Sequence, residues 1–155
     1  MSGRIDARLK ELGLELPQAT APIANYVPYT VNGKLVVVSG QVSVRDGKPE
    51  FVGKLGAGMS IAEGQEAAKL CALNILAHVK TACGGDLDKV KRVLRLGGFV
   101  NCTPDFTDMP QVVNGASDLM VAVFGEAGKH ARAAVGVSSL PLGVAVEVEA
   151  MVELA

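Results

Sequence analysis

The chain has 155 residues and 49% of them are hydrophobic, so it can bury one well-formed core and is predicted to fold as a single domain over 1–155. Fifteen basic and sixteen acidic residues leave a net charge of −1, which provides no basic field for a phosphate backbone. Together with an aromatic content of 4% and no tryptophan, this charge balance disfavours nucleic acid as a partner.

The sequence carries no recognisable membrane or secretion signal. No apolar run approaches the roughly 18 residues that span a bilayer, and the N-terminus is charged and amphipathic, unlike a signal peptide. Cys71, Cys83 and Cys102 are widely spaced and include no Cys-x-x-Cys pair, so they fit neither a disulfide framework nor a zinc site. We therefore expect buried thiols in a cytoplasmic protein, with no metal and no cofactor.

Three segments carry apolar residues at helical spacing. They predict a short amphipathic helix over 3–13, a long helix over 60–83 and a third helix over about 108–125. Ser60, with Glu63 three residues later, forms the capping-box signature at the start of the long helix.

Strand signals flank these helices. Asn32-Gly33 and Asp46-Gly47 each lie between β-rich runs and predict type I′ hairpin turns, hence three antiparallel strands before the long helix. A further strand is predicted over 93–102, and the last quarter alternates valine with glutamate, which is typical of a half-buried strand. The order β-β-β-α-β-α-β-β predicts an α+β two-layer domain, with a mixed sheet of about six strands covered by two long helices.

The last two predicted strands bring a cation and carboxylates into the same region. If the Pro141-Leu142-Gly143 turn pairs these strands antiparallel, Arg132 lies near Glu147 or Glu149, depending on the register. Such a pair on a polar strand face can be an ordinary solvated ion pair, which contributes about 0–1 kcal/mol. Spacing alone leaves open whether it is that or part of a binding site.

An ordered set of short segments resembles the RidA (YjgF) family of enamine/imine deaminases, also labelled endoribonucleases. The matching segments are Ala21-Pro22, Tyr26, Ser39-Gly40-Gln41, Gly84-Gly85, Phe106-Thr107-Asp108, Ala131-Arg132, Leu140-Pro141 and Glu147-Val148-Glu149. Any one segment is weak, but their order and spacing hold over most of the chain. The resemblance implies a chorismate-mutase-like fold and a homotrimer with ligand sites in the clefts between subunits.

The same resemblance implies an activity and a set of site residues. The reaction would be hydrolysis of 2-imino or enamino acids, small carboxylate-bearing substrates, to 2-keto acids and ammonia. Arg132 would clamp the substrate carboxylate, aided by backbone N–H groups near Ala134, and Glu147 would position the attacking water. Tyr26 and Ser39-Gly40 would line the cleft. From the residues alone, Tyr26 can equally be a strand aromatic, and Ser39-Gly40 a bulge or a close-packing point.

Some residues depart from the family pattern. The chain has Arg132-Ala133-Ala134 where deaminating members often have Arg-Ser-Cys or Arg-Ser-Thr, and Ala24-Asn25-Tyr26 where Gly-Pro-Tyr is usual. An N-terminal helical extension over 1–20 and longer loops resemble a longer branch of the family. Two other functions stay open: a non-catalytic regulator that binds small carboxylates, and a ribonuclease, which the charge balance disfavours. We interpret His130 as a surface residue and not as a general base.

Overall fold

The protein is built on a five-stranded sheet with helices packed on one of its faces. The structure, a computed structural model, describes residues 3–19 and 24–155, so the Ala21-Pro22 pair lies outside the described residues. The helices are α1 (Arg4–Glu11), α2 (Ile61–Ala82) and α3 (Met109–Phe124). The strands are β1 (Tyr29–Asn32), β2 (Leu35–Val42), β3 (Val44–Arg45), β4 (Lys48–Pro49), β5 (Lys54–Leu55), β6 (Gly58–Met59), β7 (Val90–Asn101), β8 (Ala131–Val137) and β9 (Val146–Leu154).

The main sheet has the strand order β1-β2-β9-β7-β8. β8 pairs parallel with β7, whereas the other pairings in this sheet are antiparallel. Strands β3 and β4 form one separate two-stranded ladder, and β5 and β6 form another. The predicted α+β architecture with two long helices is therefore confirmed. The main sheet has five strands, close to the predicted six, because the third predicted strand is confined to the β3–β4 ladder.

The last two strands do not pair with each other, contrary to the antiparallel arrangement considered from sequence. β7, α3 and β8 form a β-α-β unit, and such a crossover returns the chain parallel to the strand before the helix. β9 then takes the other edge of β7, so Leu96 has Arg132 on one side and Ala150 on the other. Arg132 and Glu147 are consequently separated by a whole strand.

The two predicted hairpins form, with one difference in turn type. At Asp46-Gly47 both residues have positive φ, 52° and 76°, as a type I′ turn requires. The ladder it closes stays short, since Pro49 has no N–H to donate. In the first hairpin Asn32 pairs with Leu35, so the turn is centred one residue later than predicted. Gly33 there has φ 61° in the first central position, as in a type II′ turn.

Helices α2 and α3 pack against the sheet and against each other. The predicted capping box opens α2: the Ser60 hydroxyl accepts from the Glu63 N–H at 3.1 Å, and the Glu63 carboxylate accepts from the Ser60 N–H at 3.2 Å. The two helices approach so closely that a Cβ added to Gly115 would lie 2.1 Å from the Gln65 carbonyl oxygen. Gly98 of β7 likewise allows α3 to reach the sheet, since its Cβ would lie 2.6 Å from the side chain of Val113.

Helix α1 docks onto this core through Ile5 and Leu9, which are both buried. Its first N–H groups are capped from a distant part of the chain. The Asp88 carboxylate accepts from the backbone N–H of Arg4 at 2.9 Å and of Ile5 at 2.8 Å. These bonds hold the pKa of Asp88 below its usual range. The N-terminal helix is thus bound to the same core as the sheet.

The cysteines are free and buried, as predicted from their spacing. Burial raises the pKa of the Cys71 thiol far above its usual value, so this group stays protonated and unreactive at neutral pH. Among the helices of the described parts, none is both long and apolar enough to cross a membrane.

Candidate active site

A cleft of about 430 Å³ lies where β2 departs from regular pairing with β9. Its walls come from the segment before β1, from β2, from the turn before β9 and from α2. The lining residues are Gln18, Ala19, Tyr26, Pro28, Gly40, Gln41, Val42, Val44, Gly47, Asn74, Ala77, His78, Pro141, Leu142 and Glu147. Three of the predicted site residues, Tyr26, Gly40 and Glu147, therefore line one cavity. Its walls are mainly apolar with a few polar groups, as in small-molecule sites.

Gly40 is what allows the Glu147 carboxylate to lie against β2. The β2–β9 register shifts between Val38 and Gln41, which identifies Ser39-Gly40 as a bulge, one of the alternatives left open from sequence. A Cβ added to Gly40 would lie 2.4 Å from Glu147 Oε2 and 3.0 Å from its Cδ. Only glycine leaves room for the carboxylate in this position.

The environment of Glu147 favours its neutral form. Burial, followed by the nearby carboxylate of Glu149, raises the pKa of Glu147 above its ordinary value. The side chain is half-buried. A carboxyl group with a raised pKa can both accept and return a proton closer to neutral pH than an exposed glutamate can.

Tyr26 and Ser39 have different roles in forming the cleft. Tyr26 lies at its mouth with 63% of its surface exposed. Ser39 is not among the residues lining the cleft. Instead its hydroxyl donates to the Val27 carbonyl at 2.7 Å and its N–H donates to the Pro28 carbonyl at 2.8 Å. Ser39 thus fixes the segment that carries Tyr26.

The α2 side of the cleft contains polar residues that the site prediction missed. Asn74 interrupts the apolar stripe of its helix, which predicts a hydrogen-bond partner, and its amide donates to the carbonyls of Val42 at 3.2 Å and Val44 at 3.0 Å. His78 is buried, and its ring centroid is 6.5 Å from that of Tyr29. Burial lowers the pKa of His78, which favours a neutral imidazole. No sequence motif could have placed His78 at the cleft, since only the fold brings α2 to the bulge.

Arg132 is not in this cleft. It projects from β8 toward α3, where its Nη1 donates to Asn114 Oδ1 at 2.8 Å and to Ser117 Oγ at 3.1 Å, and its Nη2 lies 3.4 Å from the Pro110 carbonyl oxygen. These acceptors are all neutral. Within residues 3–19 and 24–155, Arg132 has no carboxylate in salt-bridge range. The guanidinium therefore carries an uncompensated positive charge. Ala134 lies on the same face of β8, half-buried against the core.

Arg132 and Glu147 point to opposite faces of the sheet. Gly98 faces α3 and pairs with Ala134 and with Val148, so Arg132 lies on the helical face while Glu147 lies on the other, which we call the open face. Across the sheet, their Cα atoms lie two strand spacings of about 4.8 Å apart, and along the strands they lie three residues of about 3.4 Å apart. These two perpendicular distances give a Cα–Cα separation of roughly 14 Å. Within one chain the two side chains cannot contact the same small molecule.

His130 differs from its interpretation as a surface residue. It is half-buried, its Nε2 lies 2.8 Å from Ser117 Oγ, and its Nδ1 lies 2.6 Å from the Gly128 carbonyl oxygen. Its proximity to Arg132 in the sequence was the available signal, whereas the contact with α3 depends on the β-α-β unit. No group of three or more His, Cys, Asp or Glu residues in the described ranges could hold a metal ion.

A family model, a protein sequence and solved structures are all similar to this chain over nearly its whole length. A family model described as "YjgF/chorismate_mutase-like, putative endoribonuclease" matches residues 6–154. Protein TCP17 of Trypanosoma cruzi is 52% identical over 154 residues, which cover 99% of this chain and 96% of that protein. The crystal structure of Agrobacterium tumefaciens Atu1372, a protein described as of unknown function, is 51% identical with a TM-score of 0.91, covering 97% of this chain and 92% of that one. A Shewanella oneidensis structure described as "a putative endoribonuclease" is 38% identical with a TM-score of 0.92, covering 98% of this chain and 100% of that one.

Proposed function

Because this chain belongs to the YjgF/chorismate-mutase-like (RidA) family, we propose that it hydrolyses 2-imino or enamino acids to 2-keto acids and ammonia. The observation that carries the proposal is the position of Glu147. Among the described residues that line the cleft, Glu147 alone is a carboxylic acid, and the cleft contains no lysine or arginine. Its raised pKa suits a group that exchanges protons with a bound substrate. No cofactor is needed for this reaction.

The proposed reaction is a hydration followed by an elimination. The Glu147 carboxylate accepts a proton from water while the water oxygen bonds to the carbon of the protonated C=N group, which gives a carbinolamine. Glu147 then returns this proton to the nitrogen and accepts the hydroxyl proton as the C–N bond breaks, so that ammonia leaves as the carbonyl forms, and the last proton passes from Glu147 to solvent. An enamine substrate first takes a proton on carbon to become the imine. The half-buried position of the carboxyl favours this proton exchange, because its charged form is poorly solvated.

Arg132 is proposed to bind the substrate carboxylate. A guanidinium presents two donors in one plane, which match the two oxygens of a carboxylate. Since Arg132 and Glu147 lie on opposite faces of one sheet, they can act on one substrate only if Arg132 comes from a neighbouring copy. The open face is suited to such contacts, since Val135 there is 45% exposed and Met151 is 37% exposed. We therefore propose a homo-oligomer, and specifically a homotrimer, with its sites between subunits.

The primary test is a coupled imine assay. An amino-acid oxidase generates 2-imino acids in the presence of semicarbazide, and the protein should divert the imine and suppress semicarbazone formation. Arg132→Ala and Glu147→Gln should each lose this effect. The matched controls are Arg45→Ala, whose guanidinium pairs with Glu50 at 3.3 Å, and Glu153→Gln, whose carboxylate lies farther along β9 and pairs with Lys91 at 3.4 Å. Both controls should retain most of the activity. Activity that survives both Arg132→Ala and Glu147→Gln would show that the chemistry resides elsewhere.

A complementation experiment tests the intersubunit site directly. Arg132→Ala and Glu147→Gln chains are inactive alone, but a mixed oligomer contains some sites that join an intact arginine to an intact glutamate. Random assembly in equal amounts should restore about a quarter of the wild-type activity. If both residues acted within one subunit, every site would carry one defect and co-expression would restore nothing.

A ribonuclease is another candidate, because the description of the matching family model includes the words "putative endoribonuclease". Cleavage of RNA by this chain should depend steeply on salt and should survive Arg132→Ala if phosphate contacts supply the affinity. The net charge of −1 supplies few such contacts. If the protein binds 2-keto acids through Arg132 but turns over no imine from a panel of amino acids, the non-catalytic carboxylate-binding function replaces the deaminase.

A further inference from the structure

A continuous chain of hydrogen bonds leads from the Gly125–Gly128 turn to the guanidinium of Arg132. The Gly128 carbonyl oxygen lies 2.6 Å from His130 Nδ1, and His130 Nε2 lies 2.8 Å from Ser117 Oγ. Ser117 Oγ in turn lies 3.1 Å from Arg132 Nη1. Three elements, the turn, α3 and β8, thus meet at the side chain proposed to bind carboxylate.

The direction of every bond in this chain follows from the chemistry of its ends. A carbonyl oxygen only accepts, so His130 Nδ1 must carry a hydrogen and donate to Gly128. In the neutral ring Nε2 then has a lone pair and accepts the Ser117 hydroxyl hydrogen. The Ser117 oxygen is left with lone pairs for the Arg132 Nη1–H, which can only donate. A neutral imidazole of the opposite tautomer would place the Nδ1 lone pair against the Gly128 carbonyl oxygen, which is repulsive in the same geometry.

This series of hydrogen bonds determines the orientation of the Arg132 guanidinium. Both hydrogens of Arg132 Nη1 are used, one by Ser117 Oγ and one by Asn114 Oδ1 at 2.8 Å, so the plane of the group is fixed against α3. Nε has no acceptor within the described ranges, and Nη2 has only the 3.4 Å contact with the Pro110 carbonyl. The Nε–Nη2 edge is therefore the side of the fork that remains for a ligand.

We propose that Ser117 and His130 are positioning residues, which hold the Arg132 guanidinium so that its Nε–Nη2 edge receives the carboxylate of a 2-keto or 2-imino acid. The ligand part rests on the proposed function, whereas the positioning itself does not. Immobilising one flexible side chain changes affinity by about two- to tenfold. Loss of the hydrogen bonds through Ser117 and His130 should therefore weaken carboxylate binding by this factor. Removal of the positive charge of Arg132 should abolish carboxylate binding.

Two readouts test the proposal on the 155-residue chain in its native assembly. The first is nitrogen NMR of the Arg132 side chain, which distinguishes a guanidinium with hindered rotation from a freely rotating one. The second is the affinity for pyruvate and 2-oxobutanoate, measured calorimetrically. The variants are Ser117→Ala, His130→Ala, their double variant and His130→Gln, whose amide oxygen can accept from Ser117 at the position of Nε2. Asp118→Ala, an exposed neighbour on α3, is the matched control.

We expect Ser117→Ala and His130→Ala each to release the guanidinium and to weaken 2-keto acid binding two- to tenfold. The double variant should be no weaker than either single one, because both act through one chain. His130→Gln should restore the hindered rotation and most of the affinity, and it also shows that a defect of His130→Ala is not simply a failure to fold. In the imine assay the loss should appear in KM more than in kcat.

Different results separate the two proposals. If the Arg132 guanidinium stays hindered in both alanine variants, Ser117 and His130 do not position it, and the inference is overturned whatever the ligand data show. Additive effects in the double variant, or no rescue by His130→Gln, also overturn it. If the variants release the guanidinium but Arg132→Ala leaves 2-keto acid affinity unchanged, the positioning stands and the proposed function of Arg132 is wrong.

Discussion

The contact between Gly40 and Glu147 makes Gly40→Ala a sharp test of the proposed site. Gly40 is not among the glycines with positive φ, so alanine can adopt its backbone conformation. The new Cβ, however, would lie 2.4 Å from Glu147 Oε2. The carboxylate lies at the end of a flexible side chain and can move away, so the fold should survive while the catalytic geometry changes.

The expected magnitude follows from the distance. A carbon and an oxygen need roughly 3.4 Å, so the carboxylate must be displaced by about 1 Å. A misplacement of about 1 Å in an active site costs on the order of 100-fold in rate. The free energy of unfolding should change little, or rise by up to about 1 kcal/mol because alanine restricts the unfolded chain. Gly40→Ala should therefore separate activity from stability.

The measurement pairs the coupled imine assay with thermal unfolding of the same samples. Gly3→Ala is the matched control, because its Cβ would lie 2.6 Å from Asp88 Oδ2 and would displace a carboxylate that caps α1, away from the cleft. This control should lower the unfolding temperature and leave the specific activity unchanged. The reasoning is refuted if Gly40→Ala is as active as the wild type, since the carboxylate position against the β2 bulge would then not matter for turnover.

Three further predictions concern stability. Glu147→Gln should raise the unfolding temperature at pH 8, because burial and Glu149 raise the folded-state pKa of Glu147 above its unfolded-state value. Ionisation therefore begins to oppose folding once the pH exceeds the unfolded-state pKa, and it does so fully above the folded-state pKa. Calorimetry should show the gain vanish toward pH 4, and an equal gain at both pH values would contradict this. Gly115→Ala should lower the free energy of unfolding, measured in urea, by about 1–3 kcal/mol or more, since its Cβ would lie 2.1 Å from the Gln65 carbonyl oxygen. An unchanged urea midpoint would mean that α2 and α3 can move apart without cost. Asn74→Ala should cost about 1–3 kcal/mol in the same assay by leaving two carbonyl groups without their amide donor, whereas Asn74→Asp should not restore the loss because a carboxylate cannot donate.

The elements could be predicted from sequence because their signals are local. The capping box at Ser60, the turn at Asp46-Gly47 and the valine–glutamate alternation of β9 each depend on a few consecutive residues, and each appears in the structure. Which strands pair is a long-range property. Nothing near Pro141 shows that β7 lies between β8 and β9, since this order follows from the crossover through α3.

The site could be predicted only in part for the same reason. The family resemblance indicated Glu147 and Gly40, and the structure brings them into one cleft. The contributions of His78 and Asn74 come from a helix that is distant in sequence, so no motif could reveal them. His130 was noticed for its proximity to Arg132, but its partner Ser117 on α3 was invisible without the fold.

The separation of Arg132 from Glu147 has a chemical advantage in the proposed mechanism. If β8 and β9 had paired, the two side chains could have formed a salt bridge. The guanidinium would then have lowered the pKa of Glu147, whereas burial and Glu149 raise it. The carboxylate would also have occupied the fork of donors that a substrate needs. Placing the two groups on opposite faces keeps the acid weak and the cation uncompensated within each chain. In the proposed homo-oligomer, neighbouring copies would bring the two groups together around a ligand, so we expect the activity to belong to the assembled oligomer and not to the isolated chain.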